Sequence, residues 1–136
     1  MEYRLEPHTA DVVAWCRGRD FAELVEAAAY ALYAVTLTVP RTEHALQRHV
    51  ALPPADSPEE ALAHVLRELI YLLDVQHFAA SHFEVTLHAD GALTLDLEGY
   101  EVPPDERETE VKAATRHGLE IRQDETGWEA RVLFDL

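Results

Sequence analysis

Residues 57–73, SPEEALAHVLRELIYLL, contain the clearest structural element of the sequence. Ser57 is a typical helix N-cap residue, Pro58 suits the first helical turn, and Glu60 completes a capping box. The apolar residues that follow have the spacing of one buried helix face: Leu62, Val65, Leu66, Leu69, Ile70 and Leu73. We expect this helix to form the backbone of the hydrophobic core.

A second helix is predicted nearer the N-terminus. Asp20 is its N-cap, Glu23 gives a variant of the capping box, and Pro40 marks the point beyond which it cannot continue. Its apolar stripe consists of Phe21, Leu24, Val25, Ala28, Leu32 and Val35.

Alternating apolar and polar residues predict about seven strands around these two helices. A short strand before Pro7 is followed by one at residues 11–17, one near 46–52, a hairpin at 83–97, a long strand at 111–121 and a closing strand at 128–136. Residues 101–110 carry two prolines and several acids, which favours a surface loop. We predict an α+β fold, a single domain over residues 1–136 with a mixed, antiparallel-rich sheet and both helices packed on one face.

The hairpin at residues 83–97 has a predicted register. A two-residue Asp90-Gly91 loop would set Leu87 against Thr94, so the apolar faces of the two strands would disagree. A three-residue loop, Ala89-Asp90-Gly91, pairs Leu87 with Leu93 and requires a left-handed backbone conformation at Gly91. We predict the three-residue loop.

Two short motifs place an acid at the end of a predicted strand: His8-Thr9-Ala10-Asp11 and Phe134-Asp135-Leu136. If the first and last strands lie side by side, the Asp11, Asp135 and C-terminal carboxylates converge, and a cation is needed to neutralise them. Oxygen ligands favour a hard ion such as calcium, magnesium or manganese. Periodicity alone leaves a second interpretation open, in which each acid is a solvated strand-end residue.

The composition restricts the class of protein. The formal net charge is −15, from 26 acidic and 11 basic residues, which argues against direct nucleic-acid binding. Such a charge suits solubility, a basic protein partner or cation capture. No apolar run in the sequence is long enough to span a membrane, and no export segment is visible, so a soluble cytoplasmic protein is expected.

Several catalytic and metal-binding patterns are absent from the sequence. It contains no Gly-rich phosphate loop and no Gly-x-Ser-x-Gly motif, and Cys16, its single cysteine, is expected to pack as a small hydrophobe. The eight histidines are dispersed, so a zinc site is not expected. His117 is interpreted as a core histidine on the apolar side of its strand.

Three further residues lie near the two acids in the predicted arrangement. His8 is interpreted first as a hydrogen-bond donor that stabilises its turn, and Thr9 as a cap of the turn that presents Asp11. Lys112 is expected to point to solvent, where it can contact an acidic group.

The sequence resembles the archease family. The resemblance rests on His8-Thr9-Ala10-Asp11, the helix at residues 65–72, the strand at 110–119 and the terminal Phe134-Asp135-Leu136, which occur in order over nearly the whole chain. It implies a fold of strand–helix–strand–strand units. It also implies a non-enzymatic protein that activates an RtcB-type, GTP-dependent RNA ligase, promoting ligase guanylylation and multiple turnover in tRNA splicing or RNA repair.

The resemblance also implies a metal site and no catalytic residues. Its ligands are Asp11, Asp135 and the main-chain oxygen of Leu136, and the ion is calcium, with magnesium or manganese as alternatives. His8, Thr9 and Lys112 are candidates for supporting this site or contacting the ligase. The alternative function is a stand-alone metal-dependent hydrolase of a small phosphorylated substrate, although no residue set supplies both a nucleophile and an acid–base partner.

Overall fold

The computed structural model describes residues 1–7 and 11–136. Two long helices and seven strands account for most of them. In chain order these are β1 (Glu2–Pro7), β2 (Asp11–Gly18), α1 (Phe21–Thr36), β3 (Leu46–Leu52), α2 (Pro58–Gln76), β4 (Phe78–Leu87), β5 (Leu93–Glu101), a short 3-10 turn (Pro104–Glu106), β6 (Ala113–Asp124) and β7 (Gly127–Asp135). The predicted α+β class is confirmed.

Both helices begin at the predicted caps. The Ser57 hydroxyl accepts a hydrogen bond from the backbone N–H of Glu60 at 3.1 Å, and the Asp20 carboxylate accepts one from the N–H of Glu23 at 2.8 Å. These bonds satisfy N–H groups that have no partner inside the helix. α2 ends at His77, which adopts a left-handed conformation with φ of 56°.

The strands divide into two antiparallel sheets. One has the order β1-β2-β7-β6 and the other the order β3-β5-β4. Both helices contact the four-stranded sheet and also β4, so their apolar faces close one common core. Cys16 lies in this core, and burial raises the pKa of its thiol to about 12, in agreement with a packing role.

The last strand lies in the interior of the four-stranded sheet, between β2 and β6. The convergence of the acids was predicted on the condition that the first and last strands lie side by side, whereas β1 pairs with β2, on the side away from β7. The neighbour of β7 is the strand that begins at Asp11. The two acid-bearing strand ends are therefore adjacent, although β1 is not.

The β4–β5 hairpin has the predicted register. Leu87 pairs with Leu93 and Val85 with Leu95, while the N–H of His88 donates to the carbonyl oxygen of Ala92 at 2.9 Å. The three residues between His88 and Ala92 form the loop, and Gly91 has φ of +90°. Matching of the apolar faces thus determines the loop length.

Candidate metal centre

Asp11 and Asp135 occupy directly opposite positions on β2 and β7. Residues opposite each other in an antiparallel pair point to the same face, with Cβ atoms about 4.5–5.5 Å apart. The structure therefore brings together the two acids that lie 124 positions apart in the sequence (135 minus 11).

The two acids lie on the sheet face that points away from the helices. Along β7, Ala130, Val132 and Phe134 are fully buried, and successive side chains of a strand point to opposite faces. Asp135 follows Phe134 and so projects from the other face. Both acids are partly exposed, which leaves the pair accessible from solvent.

One oxygen of this pair is buried. Oδ1 of Asp11 has no hydrogen-bond partner among residues 1–7 and 11–136. A buried carboxylate oxygen opposite a second acid is costly unless a cation or a donor compensates it. Hard oxygen donors in this arrangement fit calcium, magnesium or manganese.

Of the other predicted site residues, the structure places Leu136 and Lys112 next to Asp135 but does not describe His8 and Thr9. Leu136 is partly buried and packs against the core directly after Asp135, while the backbone N–H of Lys112 donates to the carbonyl oxygen of Asp135 at 2.8 Å. His8 and Thr9 lie outside the described residues. Asp11, Asp135, Leu136 and the backbone of Lys112 are therefore brought together.

The side chain of Lys112 is exposed, as predicted. It borders a cleft of about 270 Å³ between α2 and β6, which Arg67 and Arg116 also line. Glu60 also lines this cleft and pairs with Arg116 at 3.3 Å, so its lining carries both signs of charge.

The interpretation of His117 as a core histidine is wrong. Its side chain is exposed, and it lies where the pairing of β6 with β7 is interrupted between Thr115 and Glu120. Simple alternation assumes an unbroken ladder, and an irregularity of this kind changes which face a residue occupies.

Sequence reasoning also missed a cluster of metal-binding side chains. His44, His82 and Glu98 offer ligand atoms that lie within 4.8 Å of one another. The predicted hairpin register already implies that His82 faces Glu98, since Phe83 faces Leu97. No local signal placed His44 beside them, because it precedes β3 in a segment without regular structure.

The described part of the chain contains no helix that is both long and apolar enough to cross a membrane.

Comparisons with known proteins identify the same family over nearly the full length of this chain. The sequence model of the Archease protein family (MTH1598/TM1083) matches residues 3–136. Protein archease of Methanothermobacter thermautotrophicus is 35% identical over 132 residues, which cover 94% of this chain and 94% of that protein.

Solved structures match as well. The solution structure of Protein 1598 of Methanobacterium thermoautotrophicum has a TM-score of 0.79 and 30% identity, covering 98% of each chain. The crystal structure of an archease of Thermotoga maritima, described as a possible chaperone, has a TM-score of 0.69 at 23% identity, covering 96% of each chain, and supports the fold alone. Together with the full-length sequence match, these findings establish that the chain belongs to the archease family.

Proposed function

We propose that this chain is a non-enzymatic activator of an RtcB-type, GTP-dependent RNA ligase. It acts through a divalent cation held by Asp11, Asp135 and the main-chain oxygen of Leu136. The observation that carries the proposal is the register of β2 and β7, which sets the two acids directly opposite each other. Family membership supports the choice of partner.

The chain's own residues prepare the site for the ion. The hydrogen bond from the Lys112 N–H fixes the end of β7, so Asp135 keeps its position opposite Asp11. A bound cation, calcium first and magnesium or manganese as alternatives, would supply positive charge with open coordination positions at the protein surface. Two side-chain carboxylates and one main-chain oxygen leave several of the 6–8 ligand positions of calcium for water or for the ligase.

The charge distribution suits a protein partner better than RNA. Six of the ten arginines form ion pairs with acids of the same chain, which reduces the positive charge offered to phosphates: Arg4, Arg17, Arg19, Arg41, Arg107 and Arg116. An RNA-handling ligase has a basic substrate surface, on which an acidic activator can dock. Direct nucleic-acid binding is therefore not part of the proposal, and the activator works with its ligase in the cytoplasm.

Residues next to the acids are proposed to contact the ligase or support the site. The exposed side chain of Lys112 is suited to an acidic group of the partner. His8 and Thr9 precede Asp11 in the sequence, separated from it by Ala10, and are proposed to have the corresponding role on the N-terminal side.

The test is ligase guanylylation at a limiting concentration of activator. Asp11→Asn and Asp135→Asn keep the side-chain shape but remove a charged ligand. We expect each variant to lose most of the stimulation, measured as transfer of labelled guanylate from GTP to the ligase. Asp105→Asn, which removes an exposed acid from the 3-10 turn, is the matched control and should stimulate normally.

Unchanged stimulation by folded Asp11→Asn and Asp135→Asn proteins would refute the proposed role of the acids. The hydrolase alternative makes a different prediction, because the purified chain alone would then turn over a small phosphorylated substrate. Metal-dependent multiple turnover without ligase, lost in Asp135→Asn, would favour that alternative over the activator.

A further inference from the structure

The three-stranded sheet carries a second group of potential metal ligands. His82 on β4 and Glu98 on β5 are cross-strand partners, and His44 approaches them from the segment before β3. The rings of His44 and His82 meet edge to face, with centroids 4.9 Å apart. We propose that His44, His82 and Glu98 bind a divalent transition-metal ion of the zinc type, independently of the proposed ligase activation.

The ring of His82 is held in an orientation that suits metal binding. Its Nδ1 lies 3.1 Å from Oγ of Ser81, and that hydroxyl donates its own proton to the carbonyl oxygen of Glu43 at 2.5 Å. The hydroxyl must therefore accept from His82, so Nδ1 carries the ring proton. The lone pair of Nε2 is left free for a metal ion.

The ring of His44 has the same arrangement. Its Nδ1 lies 3.4 Å from the carbonyl oxygen of Thr42, which can only accept a hydrogen bond. This contact favours the proton on Nδ1 and again leaves Nε2 as the ligand. Metal-binding histidines in proteins commonly use one ring nitrogen for the ion and the other for a carbonyl or hydroxyl partner.

The ligand atoms of His44, His82 and Glu98 must move slightly closer together to bind one ion. In a tetrahedral zinc site with bonds of about 2.0–2.1 Å, ligand atoms are about 3.3–3.4 Å apart. The donors here lie within 4.8 Å of one another, and both histidines are exposed, so small side-chain rotations bring them into range. Three protein ligands leave the fourth position for water.

The donor types separate this site from the acidic pair on the other sheet. Two imidazoles and one carboxylate suit zinc and its neighbours among the transition metals, whereas calcium prefers oxygen donors. A bound ion would also connect the segment containing His44 to β4 and β5, so the folded state is stabilised when the ion is present.

The test is calorimetric titration of the full, tag-free chain with Zn²⁺ in the presence of excess Ca²⁺. We expect one zinc ion to bind that calcium does not displace, and the thermal unfolding midpoint to rise with zinc. Loss of an outer partner of a ligand costs about 10- to 100-fold in metal affinity. His44→Ala and His82→Ala should therefore weaken zinc binding by at least about tenfold, and Ser81→Ala by about tenfold.

His117→Ala is the matched control, since it removes an exposed histidine from the four-stranded sheet. It should bind zinc as the unsubstituted chain does. The proposal is overturned if zinc affinity and the zinc-dependent rise in unfolding midpoint are unchanged in a folded His44→Ala, His82→Ala double variant. It is also overturned if His117→Ala loses as much affinity as His82→Ala.

Discussion

At the scale of single residues, the facing positions of Asp11 and Asp135 cost free energy when no cation is bound. Like charges directly opposite in an antiparallel pair repel each other, and Oδ1 of Asp11 has no compensating donor in the described part of the chain. Such an arrangement makes the pair a candidate ligand site. The two acids are therefore expected to respond to substitution in opposite ways with and without a cation.

Asp11→Asn is predicted to raise the free energy of unfolding by roughly 0.2–1 kcal/mol in buffer containing a chelator, because one of the two facing charges is removed. In saturating Ca²⁺ the order should invert, since binding stabilises only the chain that retains both ligands. Urea unfolding followed by circular dichroism measures both values. Asp105→Asn should show the same calcium response as the unsubstituted chain, and an Asp11→Asn protein that keeps the full calcium response would contradict the prediction.

At the scale of elements, the β4–β5 hairpin depends on the backbone conformation of Gly91. A Cβ atom there would meet the carbonyl oxygen of Ala55 at 3.6 Å, which is an ordinary contact, so space is not the constraint. The φ of +90° is the constraint, because side chains other than Gly and Asn rarely adopt it.

Gly91→Ala is accordingly predicted to lower the free energy of unfolding by roughly 1–3 kcal/mol. Gly91→Asn should cost less, because asparagine tolerates left-handed conformations. Denaturant unfolding of the two variants provides the measurement. Equal stability of Gly91→Ala and the unsubstituted chain would show that the loop does not need this conformation.

The elements differ in how far the sequence predicts them. Caps at Asp20 and Ser57 and the hairpin register follow from neighbouring residues, so local patterns are sufficient for them. The position of β7 between β2 and β6 depends on contacts between distant segments, and the interruption in β6 that exposes His117 has no local signal. The acidic pair was predictable because Asp11 begins one strand and Asp135 ends another, whereas the approach of His44 to His82 was not.

At the scale of the whole molecule, the two sheets carry two different kinds of potential metal-ligating side chain. Carboxylate oxygens meet on the four-stranded sheet, and imidazole nitrogens meet with Glu98 on the three-stranded sheet. The net charge of −15 draws cations and basic partners toward the surface in general. In the proposed function, the facing positions of Asp11 and Asp135 select where a hard ion is held.

Paramagnetic broadening by Mn²⁺ in the amide NMR spectrum of the full chain tests this central claim most directly. Manganese is an oxygen-preferring ion, and it broadens the signals of nuclei close to it. We predict that substoichiometric Mn²⁺ first broadens the amides of Asp11, Asp135 and Leu136, and that Asp135→Asn abolishes this selective effect. Broadening that begins elsewhere on the acidic surface, or that is unchanged in Asp135→Asn, would contradict a shared site for the two acids.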